Sequence, residues 1–412
     1  MIGELIAIGD ELTSGRVTNT TSGYAARQLF LLGYEIRAMH TIGDDLELIG
    51  TTLKEALTHA DFVLITGGLG ATTDDLTNEA VIRALGLATA VHLGVRASIA
   101  TRWPPGRLGD AVSLDKLSLL PEGAEMLDSE YRMAGYLLRH KGKLLFLLPG
   151  VPPQMETLLA SKVIPILQAL SAERALPVSQ RVYRTCGLKE VEINKRLLDL
   201  EADKHIHLGY YPVRSEVHIS LLLRNLAQGM RDPLFVQTDR FIRSALGNDL
   251  YGIDGETLAS VVGRLLQEHG LVLGIAESCT GGLLSSTITT VEGSSGWFAG
   301  GVVAYANGVK ESLLGVEAEL LVRCGAVSGE TARAMAAGAA APLGCDITVA
   351  VTGVAGPGGG TAEKPVGTVY IGLYHRGRSS DQRFCFSGTR RQVQEKTTHT
   401  ALDLVRRALL KG

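Results

Sequence analysis

The sequence predicts an α/β protein: two α/β domains with mainly parallel or mixed sheets, joined by a small α/β linker domain. Three observations carry this. Residues 1–172 alternate short apolar runs of strand length with stretches of helical periodicity, and residues 251–412 repeat the alternation. The residues that follow the apolar runs are rich in glycine, acids and hydroxyls, and such loops beyond strand ends are where open α/β sheets bind ligands.

In the first domain "ELIAIG" reads as a strand, followed by a helix from about Asn19 to Leu32, the strand "EIRAMHTIG", a helix from about Leu46 to His59, and the strand "DFVLITGG". The loops between them are "GDELTSG", "IGDD" and "TGGLGATTDD". The domain closes on "LLFLLPGVPPQMETLLA": a strand, a rigid corner at Pro149-Gly150, and a helix whose first turn accepts proline because its N–H groups have no intrahelical acceptor. The linker domain, 173–250, contains "RVYRTCG", "VEINKRLLDLEA", "HIHLGYYP" and "EVHISLLLRN". His205 and His207 share one strand face and His218 lies on another strand, but no carboxylate or cysteine falls beside them, so an exposed face is expected there rather than a metal site. "NDLYGIDGE" reads as a connector.

In the third domain, 251–412, Thr257 opens a helix with Leu258, Val261, Val262, Leu265 and Leu266 on one stripe. The order then runs "LVLGIAES", a helix, "GGVVAYAN", a helix from about Gly308 to Leu314, a helix after Val327-Ser328, "DITVAVTG", "GTVYIGLYH", "QRFCFSG" and a closing helix from Arg390.

Composition narrows the functional classes. The 412 residues are 45% hydrophobic and 20% charged with a formal net charge of −3, so there is no basic footprint for nucleic acid and none is expected as a partner. Glu4 and Asp10 interrupt what would be a signal's apolar core, and Arg333, Pro342 and Asp346 interrupt the most apolar later stretch, so a cytoplasmic chain with no membrane span is expected. Cys186, Cys279, Cys324, Cys345 and Cys385 are odd in number and far apart, which suits reduced thiols.

Chemistry concentrates in two places. In "AESCTGG" a strand turns tightly into a helix, lifting a side chain at the apex while the free N–H groups of the first helical turn point at whatever sits above. Ser278 and Cys279 both stand as candidate nucleophiles, and the same turn also suits an α/β unit with no chemistry. Lys310, one turn into a helix that leaves the "VAYAN" strand, is the preferred base, because His269, His375 and His399 lie beside no matching motif. With its ordinary pKa of about 10.4 a lysine is neutral only about once in several thousand molecules at pH 7, so the site must disfavour its charge by about 4 kcal/mol. Thr280, Gly281, Gly282, Tyr305, Asn307, Thr352, Gly353 and Arg390 occupy the surrounding turns and are expected around the same pocket. In the first domain Gly67, Gly68 and Gly70 let backbone approach a ligand, and Asp74 and Asp75, with Asp44 or Asp10, offer carboxylates to a hard cation such as Mg²⁺. Asp74 or Asp75 equally suits a plain helix N-cap.

Taken together, "AESCTGG", "GSSGWFAGGVVAYANGVK", "GAVS", "VTGVAGPGGGTAEKPVGTVYIGL" and "FSGTR" resemble, in order, the C-terminal domain of the CinA family of competence/damage-inducible proteins. "GDELTSGRVTNT", "TGGLGATTDD" and "LPGVPPQM" are similar to the family's N-terminal, molybdopterin-binding-like domain, so the resemblance covers the whole chain. It implies nicotinamide mononucleotide deamidase activity for the C-terminal domain, needing no cofactor, with the dyad at Ser278 and Lys310 and with Tyr305, Asn307, Thr352 and Arg390 at pocket positions. For the N-terminal domain it implies ADP-ribose pyrophosphatase activity with a divalent ion (Mg, Mn or Co) at Asp75, Asp44 and Asp10, and substrate contacts from Asn19, Gly67, Gly68, Gly70, Asp74, Pro149 and Gly150. A homodimer is implied too. Ala71 stands where the family commonly has proline and Thr21 where asparagine is common. The linker resembles a nucleic-acid module without a G-x-x-G clamp, so RNA binding does not follow. The alternative expectation is a nucleotide- or pterin-binding scaffold protein with a degenerate N-terminal site.

Overall fold

The computed structural model describes residues 1–102, 114–171, 178–224 and 226–411. They form two compact units, Met1–Ser179 with Arg224–Gln228, and Gln180–Leu223 with Gly229–Gly412. The expected boundary at 172/173 lies outside the described residues.

The first unit contains strands β1 (Ile2–Ile8), β2 (Glu35–Ile42), β3 (Phe62–Thr66), β4 (Thr89–Val91), β5 (Leu119–Pro121), β6 (Glu125–Met126), β7 (Tyr136–His140) and β8 (Lys143–Leu148). Its main sheet has the order β2-β1-β3-β8-β7-β6. The first four strands are parallel and the last two join antiparallel, which is the mixed sheet expected. Alternate residues feed two cores: Ile6, Val63, Ile65 and Leu145 on one face, Leu5, Leu64 and Phe146 on the other. A sheet covered on both faces needs such continuous apolar runs. The helix Leu46–His59 has the predicted bounds, and its Asp45 cap accepts the Leu48 N–H at 2.8 Å. Part of "GDELTSG" is a helical turn, Asp10–Thr13, rather than loop. The helix Thr77–Leu85 is preceded by Leu76 with no side-chain cap, so neither Asp74 nor Asp75 serves as its N-cap.

In the second unit β9 (Ser179–Cys186), β10 (Ile206–Val213), β11 (Glu216–Leu223) and β12 (Leu250–Ile253) form a sheet of order β10-β11-β9-β12. β12 corrects two readings: "NDLYGIDGE" is not a plain connector, and a boundary at 250/251 would cut a strand. At four residues containing Gly252 it is too short to show alternation, and its strand state comes from antiparallel pairing with β9. The histidine reading also changes. His218 Nε2 lies 2.7 Å from the Glu216 carboxylate, two residues back on the same strand face. His399, from the closing helix, and Tyr251 reach the same carboxylate at 2.9 and 2.5 Å.

The rest of this unit is a sheet of β13 (Leu273–Glu277), β14 (Phe298–Val303), β15 (Ile347–Gly353), β16 (Thr368–His375) and β17 (Arg378–Cys385), ordered β14-β13-β15-β16-β17. β14, β13 and β15 are parallel; β16 and β17 continue antiparallel. Leu273 and Ile275 point to a core shared with helices Leu258–His269 and Arg390–Leu409. Ala276 and Ala350 point to the opposite core, shared with helices Asn307–Leu314 and Gly329–Leu343. Among the described residues no helix is long and apolar enough to cross a membrane.

Candidate active site

Strand parity decides between the two candidate nucleophiles. β13 ends at Glu277, and the Ser278 amide still bonds to Val351 O of β15 at 3.0 Å, so the alternation of faces runs one residue past the strand. Cys279 packs with Ile275 and Leu284 in the core and is 5% exposed. Burial pushes its thiol up to about 12, leaving almost no thiolate near neutral pH. Ser278 turns the other way, toward the helix Asn307–Leu314, and meets Lys310.

Lys310 is 1% exposed. Its Nζ sits 2.8 Å from Ala304 O, 3.0 Å from Tyr305 O and 3.2 Å from Ser278 Oγ. When charged, the amine donates to all three. When neutral, it keeps two N–H bonds to the carbonyls and directs its lone pair at the serine hydroxyl, so the same geometry serves both protonation states. Burial lowers its pKa from the ordinary lysine value, the direction a base requires.

The other predicted residues divide. Tyr305 is 60% exposed, and its hydroxyl accepts from Arg390 Nη2 at 3.0 Å while Arg390 Nη1 donates to Gly356 O at 2.8 Å. These two side chains form one polar wall. Asn307 is exposed at the first residue of Lys310's own helix. Thr352 is buried and its hydroxyl donates to Ala326 O at 2.7 Å, which commits its proton to the fold and leaves its oxygen lone pairs as acceptors. Gly353 ends β15 with no room for a side chain, because a Cβ would crowd Thr368 O at 2.7 Å. Gly282, at φ 98°, adopts a conformation disfavoured for other residues, and Gly281 beside it is also left-handed.

One expectation is corrected. The N–H groups at the start of helix Leu283–Thr289 do not point out at a ligand. Gly282, Leu284 and Ser285 N–H donate to the Glu277 carboxylate at 2.9, 3.0 and 2.8 Å, and Ser285 Oγ donates at 2.6 Å. The place of Glu277 beneath the turn was not legible, because one acid after an apolar run resembles a strand's solvated end. Gln394 escaped notice as well: from the closing helix its Nε2 donates to Cys279 O at 3.0 Å.

In the first unit a cavity of about 700 Å³ opens at the carboxyl ends of β1 and β3. Asn19, Gly67, Gly68, Gly70, Asp44, Asp74, Asp75, Pro149 and Gly150 line it; Asp10 does not. Gly67 is obligatory, since at φ 98° a Cβ would overlap the Ile8 carbonyl. Asn19 donates to Ser22 and Thr41 and accepts from Thr21 and Ser22, so its amide is engaged within the fold. Tyr136 and Asn78, both on the wall, share a 2.9 Å hydrogen bond that sequence reading missed.

The acids do not assemble as expected. Asp10 and Asp44 accept each other's amide N–H at 3.2 and 2.9 Å. Asp75 is held by the N–H and hydroxyl of Thr72 in its own loop. Burial, with Asp10, Glu11 and Asp74 nearby, raises the Asp44 carboxyl above its ordinary range. Among the described residues no group of three or more His, Cys, Asp or Glu is placed to hold a metal ion, so the donor set Asp10, Asp44 and Asp75 does not fit one.

Residues 4–169 match the "Probable molybdopterin binding domain", 180–252 the "Damage-inducible protein CinA KH domain", and 255–409 the "CinA C-terminal domain". The chain is 47% identical to a CinA-like protein of Desulfotalea psychrophila over 99% of both chains. It is 36% identical to a CinA-like protein of Kosmotoga olearia over 100% of this chain and 99% of that one. The crystal structure of a competence/damage inducible protein from Agrobacterium tumefaciens, 39% identical, covers 37% of this chain and 95% of its own at a TM-score of 0.36. Similarity along essentially the full length, with all three domains in order, places the chain in a family: it belongs to the CinA family, with a molybdopterin-binding-type domain ahead of the CinA C-terminal domain.

Proposed function

We propose that the C-terminal domain hydrolyses the carboxamide of nicotinamide mononucleotide to nicotinate mononucleotide and ammonia. The observation that supports this most is the buried Lys310 Nζ, 3.2 Å from Ser278 Oγ and oriented by two carbonyls. Ser278 Oγ attacks the amide carbon as its proton passes to Lys310. Collapse of the adduct breaks the C–N bond, Lys310 returns the proton, and ammonia leaves an ester on Ser278. Water, deprotonated by the same lysine, cleaves the ester and regenerates the serine. The Tyr305–Arg390 wall supplies a cation for the nucleotide phosphate. The test measures ammonia and nicotinate mononucleotide from the purified chain beside Ser278→Ala and Lys310→Ala. Loss of at least about 100-fold in both folded variants is expected; an inert wild type, or an active Ser278→Ala, overturns the reading.

For the first unit we propose a nucleotide-diphosphate ligand of the ADP-ribose class, held against the glycine backbone of residues 67–70. A cavity of about 700 Å³ lies in the usual size range for such ligands. Hydrolysis there, with Mg, Mn or Co, is the first reading and the one the family resemblance implies, although Asp10, Asp44 and Asp75 as placed do not form a donor set for the ion. Binding of a nucleotide or pterin without turnover is the second, and the engagement of Asp10, Asp44 and Asp75 within the fold makes it the better supported. ADP-ribose incubated with each ion and with a chelator separates the two: metal-dependent release of AMP and ribose 5-phosphate supports the first, saturable binding without product the second. A homodimer and a cytoplasmic setting complete the proposal; sedimentation and cell fractionation test them.

A further inference from the structure

We propose that Glu277 is a positioning residue for the amide hydrolysis at Ser278, setting which N–H groups of the turn face the substrate; this rests on the deamidase reading above. Glu277 is fully buried, and four donors converge on its carboxylate: the N–H groups of Gly282, Leu284 and Ser285 and the Ser285 hydroxyl. A buried carboxylate is strongly disfavoured unless it is well bonded, and here the acceptor is matched by donors alone. The start of helix Leu283–Thr289 is therefore drawn beneath the turn, on the core side.

The consequence falls on the amides that remain. Ser278 N–H bonds to Val351 O, Gly281 N–H to Ser278 O and Leu283 N–H to Thr280 O. Among the described residues, the Cys279 and Thr280 amides donate to no other residue. The Thr280 hydroxyl is likewise buried without a partner. These amides directly follow the nucleophile, so they are the donors the turn leaves for the oxyanion that forms when Ser278 Oγ adds to the carboxamide. Glu277 also fixes their frame: its carbonyl accepts from Ala304 N–H at 2.7 Å, while its side chain holds the helix that follows. Nucleophile and oxyanion donors thus hang from one strand end, and the Ala304 amide ties to that end the segment whose carbonyls hold Lys310.

The experiment compares the full chain with Glu277→Gln on nicotinamide mononucleotide and on its analogue with sulfur in place of the carboxamide oxygen. Sulfur is a poor hydrogen-bond acceptor, so the oxygen-to-sulfur ratio in kcat/KM reports oxyanion bonding. Glu277→Gln turns an N–H₂ toward groups that themselves donate, and a kcat loss of about 100-fold is expected with KM within about threefold. The oxygen-to-sulfur ratio should contract by at least about tenfold, while the acid limb of the pH profile stays at the wild-type position. An unchanged kcat and ratio, a loss confined to KM, or a shifted acid limb overturns the proposal. If Glu277→Gln does not fold, Ser285→Ala, which removes one donor, carries the test: kcat and ratio should both fall by about threefold, and a ratio equal to wild type overturns it. An inert wild type, or Ser278→Ala with wild-type activity, would instead defeat the deamidase reading itself, before Glu277 is reached.

Discussion

Lys310 is a base only in its neutral form, and this fixes the sign of its pH dependence. Burial lowers its pKa from 10.5, so a larger neutral fraction is present at any given pH than for a solvated lysine. The expected kcat/KM rises tenfold per pH unit on the acid side and levels off at a midpoint below 10.5. Lys310→Arg should lose at least about 100-fold at every pH, because a guanidinium does not deprotonate in this range. A pH–rate profile of the two proteins checks this, and a midpoint at or above 10.5 would show that burial is not acting. Cys279→Ala separates the neighbouring thiol from the chemistry: activity within about threefold of wild type is expected, with a stability loss of about 1 kcal/mol from the emptied core position. At this scale residue type and spacing narrowed the nucleophile to two adjacent residues, and only the family resemblance pointed to Ser278, because type and spacing say nothing about which face each occupies. Parity of the strand, visible only once its end is located, made the choice.

The turn after β13 is held from three elements. Ala304, just past β14, and Val351 of β15 bond to the backbone of Glu277 and Ser278, and Gln394, from the helix Arg390–Leu409, donates to the Cys279 carbonyl. Gln394→Ala should remove about 1 kcal/mol of stability and lower kcat by about three- to tenfold, with the Tyr305–Arg390 pair proposed to meet the nucleotide left in place and KM little changed. Thermal melts and steady-state kinetics check it; a variant with lower stability but unchanged kcat would leave Gln394 as a brace alone. Elements with long periodic patterns were legible: the helices Leu46–His59 and Leu258–His269 emerge where their apolar stripes place them. β12 was not, since four residues cannot display a period and its state is set by its partner β9. Glu277, Gln394 and the Ala304 and Tyr305 carbonyls were hidden for a related reason. Gln394 acts across the fold through a single hydrogen bond, while Glu277 and the two carbonyls act through bonds to backbone or amine groups five to eight residues on, and neither kind of contact leaves a pattern along the chain.

Within the second unit, charged contacts join the small sheet to the closing helix, and they predict how that unit responds to acid. Arg406 donates to Asn248 O at 2.6 Å, Arg407 pairs with Asp249 at 3.0 Å, and Glu216 gathers His399, Tyr251 and His218. Burial alone would push the Glu216 carboxyl up; the bonds from His399, Tyr251 and His218 outweigh it and bring the pKa down to about 2, from 4.5. A carboxyl whose pKa is depressed on folding contributes stability that is complete above the unfolded value and disappears as pH falls through the folded one. Here the window runs from about pH 5 down to about pH 2, and the contribution is of order 3 kcal/mol. Glu216→Gln keeps the shape and removes the titration. The wild type should therefore be more stable near pH 6, lose stability faster on acidification, and converge with the variant toward pH 2. Denaturant titrations of both proteins at pH 6, 4 and 3 measure this difference, in which the other carboxylates cancel. Equal acid slopes would mean that the seam contributes packing without charge. Convergence would show that one buried carboxylate, invisible as a cluster because its partners lie at residues 218, 251 and 399, couples the small sheet to the helix that also carries Gln394 and Arg390.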